Sequence, residues 1–274
     1  MILPSILNSI QIYLKLISIQ IRAQLQYPVS FVFDVLTQGI NAILFFVATV
    51  MIFQRFQSIG GWTLGEIAFL WGLIEMSFGT MDMIFSGFDP DSFSTHIQVG
   101  SFDQLLLRPI NITLQVLGSK FVIRRLGRFI QGVIIFIIGV SLSQVNWTVG
   151  KIVYLPVVFI SQILFFGGLF ILGSTITFWT VQSVETVNIL TYGGSEMTAY
   201  PMSIYPPWLR NFFTYIVPAL FLNYAPALYF LNKPDPLHLP SFAPFLTPFT
   251  SIALLMAALL FWRIGIQHYQ GTGS

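Results

Sequence analysis

Long apolar runs separated by short polar breaks fill this chain, and the spacing of the polar positions changes along it. Over 5–26, Ile6, Ile10, Tyr13, Leu14, Ile17, Ile21 and Leu25 recur at three and four residues, with Gln11, Lys15 and Arg22 on the other side. That pattern predicts an amphipathic helix lying along a membrane surface (1–27), basic on its wet face and ended at Tyr27-Pro28. A hydrocarbon core needs about 20 apolar residues of helix. Stretches 28–53, 64–88, 121–142, 152–179, 208–231 and 242–264 all provide them. Thr63 and Glu66 match a Thr-x-x-Glu capping box at the mouth of the second stretch. Gly167-Gly168 and Gly173-Ser174 give the fourth small faces for close helix packing. Pro218 and Pro226 interrupt the fifth. Residues 181–207, with Gly193-Gly194 and Pro201, Pro206 and Pro207, read as a connector on the side of the termini. The expected fold is an all-α polytopic membrane protein: one domain over 1–274 with six transmembrane helices.

Composition narrows the class. The chain is 55% hydrophobic and only 8% charged, whereas soluble domains carry about 25% charged residues. A net charge of +2 without a basic stripe gives no reason to expect nucleic acid. There is no cysteine, hence no disulfide and no thiolate chemistry. Lys15 and Arg22 interrupt the first twenty-five residues and no small-residue cleavage site follows, so no signal peptide is expected. With both termini inside, Lys15, Arg22, Arg108, Lys120, Arg124, Arg125, Arg128, Arg210 and Arg263 fall inside, against Arg55, Lys151 and Lys233 outside, in keeping with the positive-inside rule. Trp62 and Trp147 then mark outer edges and Trp179, Trp208 and Trp262 inner ones; Trp71 lies within a span.

Catalytic signatures are missing. Gly118-Ser119-Lys120 lacks the upstream glycine of a P-loop, so nucleotide work is expected on a separate polypeptide and no cofactor on this one. His96, His238 and His268 are scattered through different loops, which argues against a metal site. No G-x-S-x-G elbow occurs. No catalytic residue is assigned, and the chain is read as a non-enzyme.

Polar side chains at membrane depth stand out, because a charge at the bilayer centre costs roughly 2.5–3.5 kcal/mol on the insertion scale. Asp34, Gln38 and Asn41 share one face of the first span, and Glu75, Gly79, Asp82 and Ser86 one face of the second. Each stripe is either a substrate route or interhelical hydrogen-bonding glue. No base lies deep in a span to neutralise Glu75, so this acid is expected to hold its proton, which allows a proton-coupled carrier using Glu75 and Asp82. Repeated halves, which many carriers show, are not visible. Lys120, Arg124 and Arg128 read as one helical face entering the third span.

Between the Asp89-Pro90-Asp91-Ser92 block and that basic row lies Gly100-Ser101-Phe102-Asp103-Gln104-Leu105-Leu106-Leu107-Arg108-Pro109. Ser101 with Gln104 reads as a capping box; Asp103 suits the first turn; Pro109 stops the helix. Phe102, Leu105 and Leu106 share a face, and a helix this short needs a partner surface. This run, followed by a basic segment and a long apolar stretch, resembles the signature of ABC-2-type exporter permeases. Tyr200-Pro201, Tyr205-Pro206-Pro207 and Asn223-Tyr224-Ala225-Pro226 resemble one branch of the family, and the resemblance covers most of the chain.

The resemblance implies a six-helix permease without a fused ATPase domain, in the plasma (inner) membrane with both termini cytoplasmic. Its partners would be a dimer of ABC ATPase chains carrying ATP and Mg, a second permease copy or a sibling permease, and membrane lipids. The short helix would couple to the ATPase: Phe102, Leu105 and Leu106 fill a groove, Asp103 and Arg108 set register, and Pro109 ends it. Asp34, Gln38 and Asn41, with Glu75 and Asp82, would line the route. Re-entrant segments between the fifth and sixth spans would form an outer gate with Pro218, Asn223, Tyr224 and Pro226. With no sizeable outer domain, export of a lipid-like, drug-like or peptide substrate from the cytoplasm or inner leaflet is expected.

Overall fold

The computed structural model describes residues 3–26, 28–182 and 185–270. Among them all regular structure is helical, apart from one isolated bridge, Ile59 to Trp62. In chain order come α1 (Leu3–Leu25), α2 (Pro28–Arg55), α3 (Leu64–Ile84), α4 (Pro90–Gln98), α5 (Phe102–Leu106), α6 (Ile112–Ser119), α7 (Leu126–Ser143) and α8 (Val149–Thr180). Then follow α9 (Glu185–Asn188), α10 (Gly194–Thr198), α11 (Pro207–Asn211), α12 (Tyr224–Leu231) and α13 (Thr247–His268). Four helical stretches among the described residues are long and apolar enough to cross a membrane: α3, 123–143, α8 and α13. A pair bent by 83°, Pro207–Ile216 with Ala219–Leu231, would make a fifth if it crossed as one unit. α2 is helical for 28 residues, with Phe46–Arg55 as its described apolar part.

The bundle is built around α3, which is buried along most of its length, as befits a central helix. Its seam with the antiparallel α7 is made of glycine. Gly65, Gly72 and Gly79 recur at seven residues on α3, and Gly132 and Gly139 at the same interval on α7. A β-carbon on Gly72 would stand 2.2 Å from the backbone nitrogen of Phe136, one on Gly132 2.3 Å from that of Met76, and one on Gly139 2.3 Å from that of Phe69. Backbone rests on backbone, the small-residue packing that holds helices together where water cannot drive them. The expected small faces of α8 are used likewise. Gly168 meets the Leu255 backbone of α13, Gly167 takes the Phe85 ring, and Gly173 lies under Val187 and Pro90. Ser174 Oγ donates to the Phe88 carbonyl at 2.5 Å.

The Thr63 capping box forms as expected and opens α3 at one end of the bundle, here the Glu66 end. The Asp82 end lies opposite. Residues 185–205 do not stay at the Asp82 end as a connector. Asn188 bonds Asp91, Glu196 reaches Arg128, the Thr198 carbonyl accepts from Asn223, which also donates to Leu70, and Ile204 lies against Gly60. The segment therefore runs the whole length of α3, through α9, a π-helical turn (Ile189–Gly193), α10 and a 3₁₀ turn (Met202–Ile204). Its acids and glycines hide its character from a hydropathy reading.

The expected fifth span, 208–231, is instead folded back at the Glu66 end. Pro218 stands at the bend (φ −68, ψ 47). Pro226 breaks nothing: it lies in the first turn of α12, where its missing N–H would have been unsatisfied anyway. Trp208, 71% exposed, follows the chain to this end, so it does not mark an inner edge. Trp62, expected at an outer edge, and Trp262, expected at an inner one, are both buried inside protein rather than set in an aromatic belt.

The basic row also differs from expectation. Lys120 is extended backbone ending α6, and the helix resumes only after residue 122. Lys120, Arg124 and Arg128 therefore share no helical face. α1 is stitched to this break: Gln20 donates to the Ser119 carbonyl and Gln24 to that of Phe121. Ile6 and Ile10 of α1 lie outside the described side chains.

Candidate functional site

Three groupings gather the chemistry, and the first is the turn at the Asp82 end. Asp89 caps α4, accepting from the Asp91 and Ser92 amides at 3.1 Å each, and Pro90 occupies its first turn. Gly100, at φ +68, reverses the chain, a backbone state that glycine adopts without strain. Ser101 does not cap α5 through its side chain, contrary to the capping-box expectation. Its hydroxyl faces His96 Nδ1 at 2.8 Å instead. Burial, with Lys120 nearby, holds His96 below the usual histidine range.

Phe102 is the main correction here. It is fully buried, with ring centroids 5.6 Å from Phe93, 5.2 Å from Phe178, 6.3 Å from Trp262 and 4.9 Å from Tyr269. An aromatic so placed anchors the helix and has no area left to offer a partner. Leu105 packs beside this core, and its carbonyl accepts from Gln115 at 3.0 Å. Facing outward are Asp103, Leu106, Arg108 and Pro109, joined by Leu107, 85% exposed, and Val99, 63% exposed. Leu107 and Val99 were not singled out from the sequence, although Leu107 sits in the quoted run.

The second grouping is a set of ion pairs within the bundle. Arg128 forks onto Glu75, with Nε at 2.6 Å and Nη2 at 2.9 Å from the two carboxylate oxygens. It also reaches Glu196 at 3.2 Å and lies 4.4 Å over the Phe78 ring. Arg125 Nε is 2.9 Å from Asp82. Glu75 and Asp82 are thus buried and paired. The sequence suggested an uncompensated Glu75 because Arg128 is 53 positions away; only the antiparallel glycine seam brings the two together. The side chains of Asp34, Gln38 and Asn41 lie outside the described residues.

The third grouping closes the Glu66 end. Asn223 is fully buried and acts as a three-way tie. Its amide nitrogen donates to Leu70 O at 2.9 Å and Thr198 O at 2.8 Å. Gln162 donates to Leu222 O at 2.9 Å and to Asn223 Oδ1 at 3.3 Å. Tyr224 lies 5.7 Å from Trp62 and donates to Asp235 at 3.1 Å. Lys233 holds Glu66 at 2.9 Å and sits 5.0 Å over the Trp62 ring. Of the four expected gate residues, Asn223 and Tyr224 meet here with Pro218 at the neighbouring bend. Pro226 contributes packing in α12.

Among the described residues, no group of three or more histidine, aspartate or glutamate side chains could hold a metal ion. Apolar helices of spanning length around buried, paired acids define a multi-pass membrane protein. Within that class, residues 39–273 match the model of the ABC-2 family transporter protein, and the chain belongs to that family. No curated protein and no solved structure matches it. Membership makes it a membrane transport permease of a family whose members are generally non-catalytic, and it implies an ABC ATPase as partner.

Proposed function

We propose that the chain is the transmembrane subunit of an ATP-driven exporter and that its α4–α5 turn is where the ATPase grips. The observation that carries this reading is the outward apolar tip: Val99, Leu106 and Leu107 stand exposed, next to Arg108 and Pro109, on a base locked by Phe102. Exposed leucines on a rigid base, flanked by charge, suit a complementary groove. ATP and Mg belong to the partner. Two permease chains, identical or sibling, would enclose a route for a lipid-like, drug-like or peptide substrate, with Asn223 and Tyr224 closing its outer end.

The turn then lies in the cytoplasm, and α1 lies along the inner surface. With Arg210 carried to the outer side by the 185–205 crossing, the basic count becomes eight inside against four outside, still in the positive-inside sense. Together with α2, α3, α7, α8 and α13, that crossing makes six passes. The proton-carrier alternative loses its support, because Glu75 already has Arg128 as a counter-charge.

Co-expression with a partner ABC ATPase tests the assignment. Leu106→Asp with Leu107→Asp should abolish co-elution while the permease itself elutes unchanged. A complex that survives both substitutions would remove the turn as the docking point.

A further inference from the structure

We infer that the cavity between the start of α6 and the inner half of α13 is a binding site for a membrane phospholipid with an anionic headgroup. The cavity measures about 500 Å³, within the range of ligand sites; it lies apart from the ion pairs and the Glu66-end closure, and touches the buried base of the turn only through Trp262. One part of its wall is made of hydrogen-bond donors. Arg263 lines it, is exposed and forms no ion pair among the described residues. Asn111 spends its oxygen on the Leu114 amide at 3.3 Å, which leaves its NH₂ to donate. Thr113 Oγ1 accepts from Trp262 Nε1 at 3.2 Å, so its own proton remains available. No acidic residue lines the wall.

The rest of the lining is aliphatic. Met256, 59% exposed, and Leu260, 58% exposed, lie on the outward face of a membrane-spanning helix, with Leu259 beside them. A soluble anion would leave this wall uncovered, a lipid without phosphate would leave a guanidinium unpaired beside hydrocarbon, where charge is costly, and a zwitterionic headgroup would bring its own cation to a wall that holds a cation and no acid. A molecule carrying an anionic phosphate headgroup at one end and an acyl chain at the other satisfies all three. The site faces the leaflet at the Asp82 end and does not depend on the transport reading.

Native mass spectrometry of the full chain in mild detergent, titrated with phosphatidylglycerol or phosphatidylcholine, tests it. The unaltered chain should retain phosphatidylglycerol several-fold better than phosphatidylcholine. Arg263→Ala should erase that preference, and Arg263→Lys should restore part of it. Leu259→Trp, which fills the aliphatic part, should remove retention of both lipids while the elution profile stays that of the folded chain. Retention unchanged in both Arg263→Ala and Leu259→Trp would overturn the site. So would displacement of phosphatidylglycerol by an equal concentration of inorganic phosphate, or a second copy of the chain occupying the surface in place of lipid.

Discussion

Two neighbours in sequence, Phe102 and Leu107, have opposite fates: one is sealed among four aromatic rings, the other stands 85% exposed. Nothing in the run Phe102–Leu107 tells which face turns inward, because a five-residue helix carries apolar side chains on both. The deciding partners, Phe178, Trp262 and Tyr269, lie far along the chain. His96 permits a pH test of the same turn. Its folded-state pKa lies below the ordinary 6.5, chiefly through burial, so acid protonates the unfolded state first. Its contribution to stability is complete above about pH 6.5 and is lost as pH falls toward the depressed folded value. Thermal midpoints measured between pH 7 and pH 5 should fall, and His96→Gln should flatten that portion of the slope; an equal slope in both proteins would refute it. Arg128 offers a second test, since removing one partner of a buried ion pair typically costs about 3–5 kcal/mol. Arg128→Gln should lower the thermal midpoint strongly, and Arg128→Gln with Glu75→Gln should recover most of the loss. A double variant no better than the single would mean that the pair is not what holds those side chains.

Among elements, the α3–α7 seam is the most consequential, and its signal was in plain view as glycines seven residues apart. A seven-residue interval brings a helix back to nearly the same face, so Gly65, Gly72 and Gly79 could have been read as a contact line. A methyl on Gly72 would meet a backbone nitrogen at 2.2 Å, which nothing flexible can relieve. Gly72→Ala should therefore cost about 1–3 kcal/mol as an overpacked site. Gly193→Ala, whose nearest neighbour would be an Ile189 methyl at 3.8 Å, should leave folding intact. Comparing detergent-stable yields and thermal midpoints of the two variants checks this, and equal behaviour would argue against the seam. The apolar spans α3, α7, α8 and α13 were legible because length and hydropathy suffice to define them. The course of 185–205 along α3 was not, because its polar groups are satisfied by Asp89, Asp91, Arg128 and Asn223, contacts that depend on the folded bundle.

For the whole molecule, topology is the property most open to experiment. With no native cysteine, single-cysteine variants label cleanly. Trp208→Cys and Trp147→Cys should react from one side of the membrane, and Leu107→Cys from the other. If Trp208→Cys instead labels with Leu107→Cys, the 185–205 segment does not cross. The placement of Phe102 has one further consequence. Its ring is wedged where the ends of α8 and α13 converge, and those two helices are packed along one another. Were an ATPase to press at Leu107, as proposed, the load would enter α8 and the C-terminal end of α13 through that one ring, because Phe178, Trp262 and Tyr269 all rest on it.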